Sequence, residues 1–83
     1  MIQAIRHIRT KHGEPMAFLT VEDASGVFEA VVFPKTYAVV SLQLQQGNFV
    51  ILQCSTDFKN EKIQYLVHEC WPLEMFEAAY HRG

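Results

Sequence analysis

Short apolar runs that alternate with polar residues, each ended by turn-forming residues, occupy most of this chain. In the second run, Ala17, Leu19 and Val21 share one face, because successive side chains of a β-strand point to opposite sides of the sheet. Alternation of this kind predicts five strands, which cover Ile2–Thr10, Met16–Glu22, Val27–Phe33, Phe49–Ser55 and Lys62–Cys70.

The first of these runs departs from strict alternation. Its apolar residues are Ile2, Ala4, Ile5 and Ile8, so the pattern slips by one residue, as a β-bulge would cause. The following Lys11–Pro15 segment combines glycine and proline with charged neighbours and predicts the turn of a hairpin.

The segment between the third and fourth predicted strands has a different character. Thr36–Gln46 mixes Tyr37, Val40 and Leu44 with small and polar residues, and Gly47 follows it as a helix C-cap would. We therefore expect one short helix here. Three strands, a helix and two further strands are the outline of a five-stranded, partly open Greek-key barrel, the OB architecture, so the predicted fold class is all-β.

The chain length allows one small domain. Its 83 residues fall below the roughly 100 to 200 usual for a domain, and we expect an OB domain over 1–71 and a C-terminal tail over 72–83 compatible with a short helix. Hydrophobic residues make up 49% and charged residues 19%, which excludes a disordered chain. No apolar run approaches the roughly 18 residues that cross a bilayer, so a cytoplasmic protein without membrane contact is expected.

The sequence lacks the motifs of a catalytic site. It contains no phosphate-binding glycine loop, zinc-protease motif or nucleophile elbow, so we expect no enzyme activity, cofactor or small-molecule substrate. His68 and Cys70 share one face of a predicted strand, but two ligands of unlike softness do not make a metal site. Cys54 and Cys70 are too few for a disulfide scaffold and are expected to be reduced thiols within strands.

Positive charge is concentrated at the start of the chain. The whole chain has 7 Lys and Arg against 9 Asp and Glu, a net charge of -2, which is not typical of a strong nucleic-acid binder. The first 13 residues, however, include Arg6, Arg9 and Lys11 and no acidic residue. The second predicted strand follows these cations directly, so we expect its exposed face to lie beside them.

An aromatic residue on that face would give single-stranded nucleic acid a stacking platform. With the aliphatic residues of the second strand in the core, Met16 and Phe18 point outward. A base can stack on the phenyl ring while neighbouring cations bind the phosphates. The alternative is that the ring is covered, either by Phe76 or Tyr80 of the tail or by another domain.

Other charged residues are also expected to affect ligand binding at this face. Glu29 of the third strand points outward and repels phosphate, and we expect it to pair with Arg9, the alternative being a hydrogen bond from a base amino group. Lys59 and Lys62 flank the predicted loop Asp57–Glu61, which corresponds to one of the loops that bind ligands on OB folds. These lysines either contact the ligand or are simply solvated.

The combination of these residues resembles a known family. In order along nearly the whole chain it resembles the OB-fold domain of the bacterial replicative DNA polymerase III alpha subunit, through Ile5 to Lys11, Gly13, Met16 to Leu19, Glu22, Asp23, Gly26, Glu29, Val32 to Pro34, Tyr37 and Gly47. The resemblance implies a module that lies downstream of the catalytic domains and near the single-stranded template. It also implies that the catalytic residues are elsewhere in the parent chain, a DNA-directed DNA polymerase.

A second resemblance covers Met16–Pro34. This segment is similar to the anticodon-binding OB domain of class II aminoacyl-tRNA synthetases for aspartate, asparagine and lysine. The similarity implies that the aromatic ring at Phe18 stacks on a base. Glu29 and Val31 stand where the aspartate enzymes carry Gln and a second aromatic residue, so anticodon readout is not implied.

These observations together predict a non-catalytic OB module of a replicative DNA polymerase. Its expected partners are single-stranded DNA, bound weakly by the isolated domain, and the other domains of the parent chain. The predicted nucleic-acid contacts are Arg6, Arg9, Lys11, Met16, Phe18, Lys59 and Lys62. The alternative is a protein-interaction module of the replication machinery, in which Met16 and Phe18 meet a protein and the acidic tail guides the contact.

Overall fold

The computed structural model describes residues 1–74, which form five strands and one short helix. The elements are β1 (Ile2–Arg9), β2 (Pro15–Asp23), β3 (Gly26–Val32), α1 (Pro34–Val40) with a following 3-10 turn (Ser41–Gln43), β4 (Val50–Lys59) and β5 (Lys62–Pro72). The predicted all-β OB class, with a single helix between the third and fourth strands, is confirmed. The predicted tail lies outside the described residues from position 75 onward.

The strands form one sheet in the order β1-β2-β3-β5-β4. All neighbours are antiparallel except β3 and β5, which run parallel, so the chain must cross over between them through α1 and β4. At the ends of this order, the Ile2 N–H donates to the Asn48 carbonyl and the Gly47 N–H donates to the Ile2 carbonyl, at 2.9 and 2.8 Å. These two bonds join β1 to the segment that leads into β4.

The slip in the first apolar run marks a real bulge. The register between β1 and β2 shifts between Ile2 and Ala4, as predicted. Because of the extra residue, Ile2 and Ile5 both belong to the core, while Arg6 between Ile5 and His7 points to the opposite side. The bulge therefore determines which face of the sheet carries the first cation.

The core lies on the predicted faces of β2 and β3. Ala17, Leu19 and Val21 of β2 are buried together with Ala30 and Val32 of β3. The helical segment and β5 close this core with the aliphatic side chains of Val40, Leu44 and Val67 and with Cys70. Burial of each larger aliphatic side chain contributes roughly 1.5–3 kcal/mol, and it fixes the register of β2 and so the outward direction of its remaining residues.

The helix is shorter than predicted and begins earlier. It covers Pro34–Val40 instead of Thr36–Gln46. Proline favours the first turn of a helix because its fixed φ suits the helix and its missing N–H is not needed there, so Pro34 starts α1 instead of merely ending β3. Gly47, predicted as the C-cap, has a φ of +89° in the turn before β4. No helix within residues 1–74 is long and apolar enough to span a membrane.

The predicted loop Asp57–Glu61 is wrong. Strand β4 continues to Lys59, β5 begins at Lys62, and a two-residue turn joins them. Its residues Asn60 and Glu61 have φ values of 52° and 62°, and a type I′ turn requires positive φ at both of these positions. The result is a long hairpin in which Lys59 and Lys62 are direct cross-strand partners.

Candidate nucleic-acid interface

One row of residues crosses the outward face of the sheet. Arg6 is the cross-strand partner of Phe18, Phe18 of Val31, Val31 of Leu66 and Leu66 of Ser55. Side chains of directly paired residues lie on the same side of a sheet, so these five share the face opposite the core. We call this set of residues the stacking row.

The first two residues of the stacking row form a contact between a cation and an aromatic ring. The Arg6 guanidinium carbon lies 5.0 Å from the centroid of the Phe18 ring. Phe18 lies on the outward face of β2, as predicted, but it is half-buried and not fully exposed. The proposed cover by Phe76 or Tyr80 falls outside the described residues.

The residue next to Arg6 shows that the face is defined by alternation. His7 is paired with Ala17 of the core face, and its Nδ1 lies 3.2 Å from the Tyr37 hydroxyl oxygen of α1. The two rings meet edge to face, with centroids 6.0 Å apart. This contact attaches α1 to the other side of β1 and leaves Arg6 directed at Phe18.

Met16 was predicted to be exposed beside Phe18, and this is wrong. Its register partner is Ile8 of β1, so it lies on the outward face, yet only 7% of its surface is exposed. Methionine is flexible and unbranched and packs readily into irregular gaps between neighbours. Val31 in the centre of the same face is also buried, between the larger residues Phe18 and Leu66 in the register. Met16 therefore packs between its neighbours on the outward face and leaves little of its side chain for a ligand to contact.

Arg9 does not flank Phe18 as predicted. Its guanidinium donates a hydrogen bond of 2.8 Å to the Gly13 carbonyl, within the β1–β2 turn. The Thr10 hydroxyl braces the same turn by accepting bonds from the backbone N–H groups of His12 and Glu14. Lys11 is exposed in this turn. Of the three predicted cations, only Arg6 belongs to the stacking row.

The predicted pair between Glu29 and Arg9 is absent. Glu29 is the register partner of Thr20, whereas Arg9 is that of Pro15, five positions away along β2. At about 3.4 Å per residue this separation is roughly 17 Å, too far for an ion pair. Glu29 is exposed on the outward face, and no contact of its carboxylate is found within residues 1–74.

Lys59 and Lys62 lie at the end of the β4–β5 hairpin. Counting in steps of two from Ser55 and Leu66 along the paired register places both on the same side of the hairpin as the stacking row. Both are exposed. The sequence analysis could not predict this placement, because it assigned a loop to Asp57–Glu61. The side on which each lysine lies follows only when both strands continue to the turn.

Sequence reasoning missed a polar pair at the far end of the stacking row. The Ser55 hydroxyl oxygen lies 2.8 Å from Nε2 of His68, and both residues are exposed. A second register shift, between Gln53 and Cys54, adjusts the position of His68 against β4. The signal available in the sequence is the alternation within Lys62–Cys70, in which His68 falls on the side opposite its neighbour Val67, a core residue.

The cysteines belong to the interior. Cys70 is buried in the core, whereas His68 faces outward, so the expectation that they share one face is wrong. Burial, and secondarily the proximity of Cys54, raises the pKa of the Cys70 thiol to about 11, and burial also raises the pKa of Cys54. In the part of the chain that the structure describes, no group of three or more His, Cys, Asp or Glu residues could hold a metal ion.

The strand order and the outward face together define a class of protein. A five-stranded sheet with a helix between the third and fourth strands, and with an aromatic residue of β2 beside a cation of β1 on its outward side, fits the arrangement of OB-fold ligand-binding domains. The chain belongs to the family of OB-fold nucleic acid binding domains, whose family model matches residues 1–73.

Curated relatives with similar sequences are polymerase subunits. The chain is 43% identical over 75 residues to the DNA polymerase III subunit alpha of Halalkalibacterium halodurans, which is 89% of this chain and 7% of that protein. It is 36% identical over 78 residues to the subunit from Bacillus subtilis, with 94% of this chain and 7% of that protein covered. The chain thus spans about 7% of the length of these relatives. No solved structure matches the chain at a significant level.

Proposed function

We propose that this chain is a non-catalytic module of a DNA polymerase III alpha subunit, a DNA-directed DNA polymerase, and that it contacts the single-stranded template. The observation that carries the proposal is the stack of Arg6 on Phe18 on the outward face of β1 and β2. Membership of the OB nucleic-acid family and the similarity to polymerase alpha subunits supply the context. The proposal places the chain in the cytoplasm, beside other domains of the parent polymerase.

In this proposal, a base replaces the guanidinium on the phenyl ring. An exposed cation–π contact is worth about 0.5–1 kcal/mol, whereas base stacking on an aromatic side chain is worth about 1–3 kcal/mol. Exchange of one for the other is therefore favourable. It also releases Arg6 to bind the phosphate of the stacked nucleotide, so the same residue protects the ring in the free protein and holds the backbone in the complex.

The remaining cations bind the strand on either side of Phe18. Lys11 lies in the β1–β2 turn, and Lys59 and Lys62 lie at the end of the β4–β5 hairpin. These two positions border the stacking row from opposite corners, so a strand that runs between them passes over Phe18. Each phosphate contact contributes a slope of about -0.7 in a plot of log K against log salt.

The net charge of -2 makes binding by the isolated chain weak, and attachment to a larger polymerase compensates for it. A tethered site acts at an effective concentration that reaches millimolar values for short flexible linkers. A millimolar affinity is then sufficient for contact with a template that other domains already hold.

A short deoxythymidine oligonucleotide, titrated into the labelled chain and followed by NMR chemical shifts, tests the proposal. We expect shifts at Arg6, Phe18 and Leu66, and a loss of affinity of at least fivefold in Phe18→Leu, which keeps an apolar side chain but removes the π-face. Phe58→Leu, at an exposed phenylalanine of the hairpin, is the matched control. Shifts confined to the opposite side of the sheet would refute the proposal.

A second measurement examines the lysines. Replacement of both Lys59 and Lys62 by Gln should make the salt slope shallower by about 1.4, because two phosphate contacts are lost. Lys35→Gln removes a charge from α1 and should leave the slope unchanged. Equal effects of the hairpin and helix replacements would mean that only net charge matters.

A second candidate function is supported by a different surface. Val39 in α1 and Leu42, three positions further along the chain, are 80% and 85% exposed, and two apolar side chains this close in sequence can form the contiguous apolar patch that marks a protein-binding surface. An OB module that contacts a protein within the replication machinery would use such residues. Association with a polymerase domain that is insensitive to salt and lost in Leu42→Ser would favour this function, whereas salt-sensitive retention on single-stranded DNA favours the first.

A further inference from the structure

We infer that Glu29 selects the base that stacks on Phe18 and that it favours guanine over thymine. This inference rests on the proposed function, because it concerns the same face and the same ligand. It assigns a role to the one acidic residue of β3, which the predicted pair with Arg9 does not explain.

Glu29 lies in the row of residues beside the stacking row. Its register partner is Thr20, and it is two positions before Val31, the partner of Phe18. Glu29 is therefore a diagonal neighbour of Phe18 on the same face, at a distance of roughly 7–8 Å between the backbones. A base on the phenyl ring extends beyond it, and the two methylene groups of Glu29 allow its carboxylate to meet the edge of that base.

The carboxylate of Glu29 is available for this contact. Arg9 is engaged with the Gly13 carbonyl, and Arg6 with the ring of Phe18 in the free chain and, under the proposed function, with phosphate in the complex. Within the described residues 1–74, no donor contacts Glu29, which is exposed. An unpaired carboxylate repels phosphate wherever a strand crosses the face, so it lowers affinity unless the bound base supplies a donor.

The chemistry of the Glu29 carboxylate determines which base can supply it with hydrogen-bond donors. An ionised carboxylate accepts hydrogen bonds and cannot donate them. Unstacked bases are hydrogen-bonded along their Watson–Crick and Hoogsteen edges. On its Hoogsteen edge guanine presents only acceptors, which a carboxylate cannot use. On its Watson–Crick edge guanine presents two adjacent donors, its ring N–H and its amino group, which match the two oxygens of one carboxylate. Thymine presents one ring N–H between two carbonyl oxygens, and those oxygens repel the carboxylate.

The competing explanation is that Glu29 is only a negative charge on the face. Such a charge would weaken the binding of all sequences to the same extent, because every sequence carries the same phosphates. Base selection and uniform repulsion therefore differ in one measurable quantity, the ratio of affinities for two oligonucleotides that differ in a single base.

The test uses deoxythymidine hexamers in which the fourth base is guanine, hypoxanthine, cytosine or thymine. Hypoxanthine keeps the ring N–H of guanine and lacks only its amino group, so it removes one of the two donors. Affinities are measured by NMR titration for the unaltered chain, Glu29→Gln, Glu14→Gln and Phe18→Leu. Glu14→Gln removes the same charge from the β1–β2 turn and serves as the control for net charge.

For the unaltered chain we expect guanine to bind about tenfold more tightly than thymine, with hypoxanthine between them, since a good bidentate contact to a base is worth roughly 1–3 kcal/mol. Glu29→Gln should reduce the guanine to hypoxanthine ratio to about 1, while Glu14→Gln leaves it unchanged. Equal binding of all four hexamers by the unaltered chain, or a uniform gain in Glu29→Gln, would overturn the inference. If the unaltered chain shows no base preference but Phe18→Leu still lowers the affinity, the inference fails and the proposed function stands. If Phe18→Leu does not change the affinity, both are refuted.

Discussion

The guanidinium carbon of Arg6 lies 5.0 Å from the centroid of the Phe18 ring, and the two residues are direct cross-strand partners in β1 and β2. The bulge between Ile2 and Ala4 is what makes this contact possible. With strict alternation from Ile2, Arg6 would face the core and Ile5 would face outward. One inserted residue therefore places a cation on the face where it can serve a ligand.

The contact between Arg6 and Phe18 should contribute measurably to stability. In a double-mutant cycle with Arg6→Ala and Phe18→Ala, we expect a coupling free energy of about 0.5–1 kcal/mol, as for other exposed cation–π pairs. Unfolding by urea, followed by circular dichroism, gives the free energy of unfolding of each variant. A parallel cycle with Arg9→Ala and Phe18→Ala should show no coupling, because Arg9 bonds to the turn at Gly13. Coupling in that second cycle would contradict the assignment.

The two leucines Leu19 and Leu42 occupy opposite extremes of exposure, at 1% and 85%. Leu19→Ala leaves a cavity in the core and should lower the free energy of unfolding by about 2–5 kcal/mol. The total free energy of unfolding of a chain of this length is roughly 4–12 kcal/mol, so this variant lies close to unfolding at room temperature. Leu42→Ala should change stability by less than about 0.5 kcal/mol. Urea midpoints measured at low temperature give both values, and a similar loss in the two variants would contradict the placement of the core.

Most of the fold was predictable because it depends on alternation. The inward residues of β2 and β3 and the bulge in β1 follow from the side on which each apolar residue must lie. The ends of elements were less predictable. The predicted helix began at Thr36, whereas Pro34 starts α1, since a proline after a strand can either end the strand or begin a helix.

The site was only partly predictable from the sequence. Alternation assigned Phe18 to the outward face, but it gives no information on the degree of burial or on where a long side chain ends. The burial of Met16 and the bond of Arg9 to Gly13 depend on neighbours in three dimensions. The hairpin with Lys59 and Lys62 was missed because charged residues at a strand end resemble a loop in sequence.

The β4–β5 turn contains a residue that is poorly suited to its backbone. Glu61 has a φ of 62°, a region that costs most residues about 1–2 kcal/mol and glycine almost nothing. Replacement of Glu61 by glycine removes this cost, but part of the resulting gain in stability is lost because glycine has greater conformational freedom in the unfolded chain. We therefore expect Glu61→Gly to raise the free energy of unfolding by roughly 0.5–1 kcal/mol, measured with urea.

Two controls separate backbone strain from other effects of this substitution. Glu61→Gln removes the same charge without relieving the backbone, so it should give no gain. Asp57→Gly places glycine within the extended part of β4 and should be destabilising. A gain in Glu61→Gln as large as that in Glu61→Gly would show that charge, and not φ, is responsible.

The Cys70 thiol should be slow to react. Burial raises its pKa to about 11 from an ordinary 9.0, and the thiolate is the reactive form. In a Cys54→Ala chain, which leaves Cys70 as the only cysteine, the larger cause of the shift, burial, remains, so the rate of modification by a disulfide reagent at pH 8 should be at least about tenfold below that of an exposed thiol. The rate should rise to the ordinary value in urea. Rapid modification of the folded chain would contradict the burial of Cys70.

A hydrogen-bonded carboxylate in the turn between β2 and β3 should make the stability of the chain depend on pH. The Ser25 hydroxyl donates to Oδ1 of Asp23 at 2.6 Å and the Ser25 N–H donates at 2.8 Å, and these bonds hold the pKa of Asp23 below its ordinary value of 3.8. A carboxyl whose pKa is lower in the folded state stabilises that state above its unfolded pKa. This stabilisation is fully present above about pH 4 and disappears as the pH falls through the folded pKa of Asp23.

Replacement of Ser25 tests this dependence. Ser25→Ala removes the hydroxyl bond, the largest cause of the shift, so the NMR titration midpoint of Asp23 should rise toward 3.8. The free energy of unfolding should fall at pH 6, and its difference from that of the unaltered chain should shrink as the pH falls through the folded pKa of Asp23, because the carboxyl then becomes protonated in both chains. Ser25→Thr keeps the hydroxyl and should keep the low midpoint. Identical midpoints in all three chains would mean that the hydroxyl of Ser25 does not bond to the ionised carboxylate in solution.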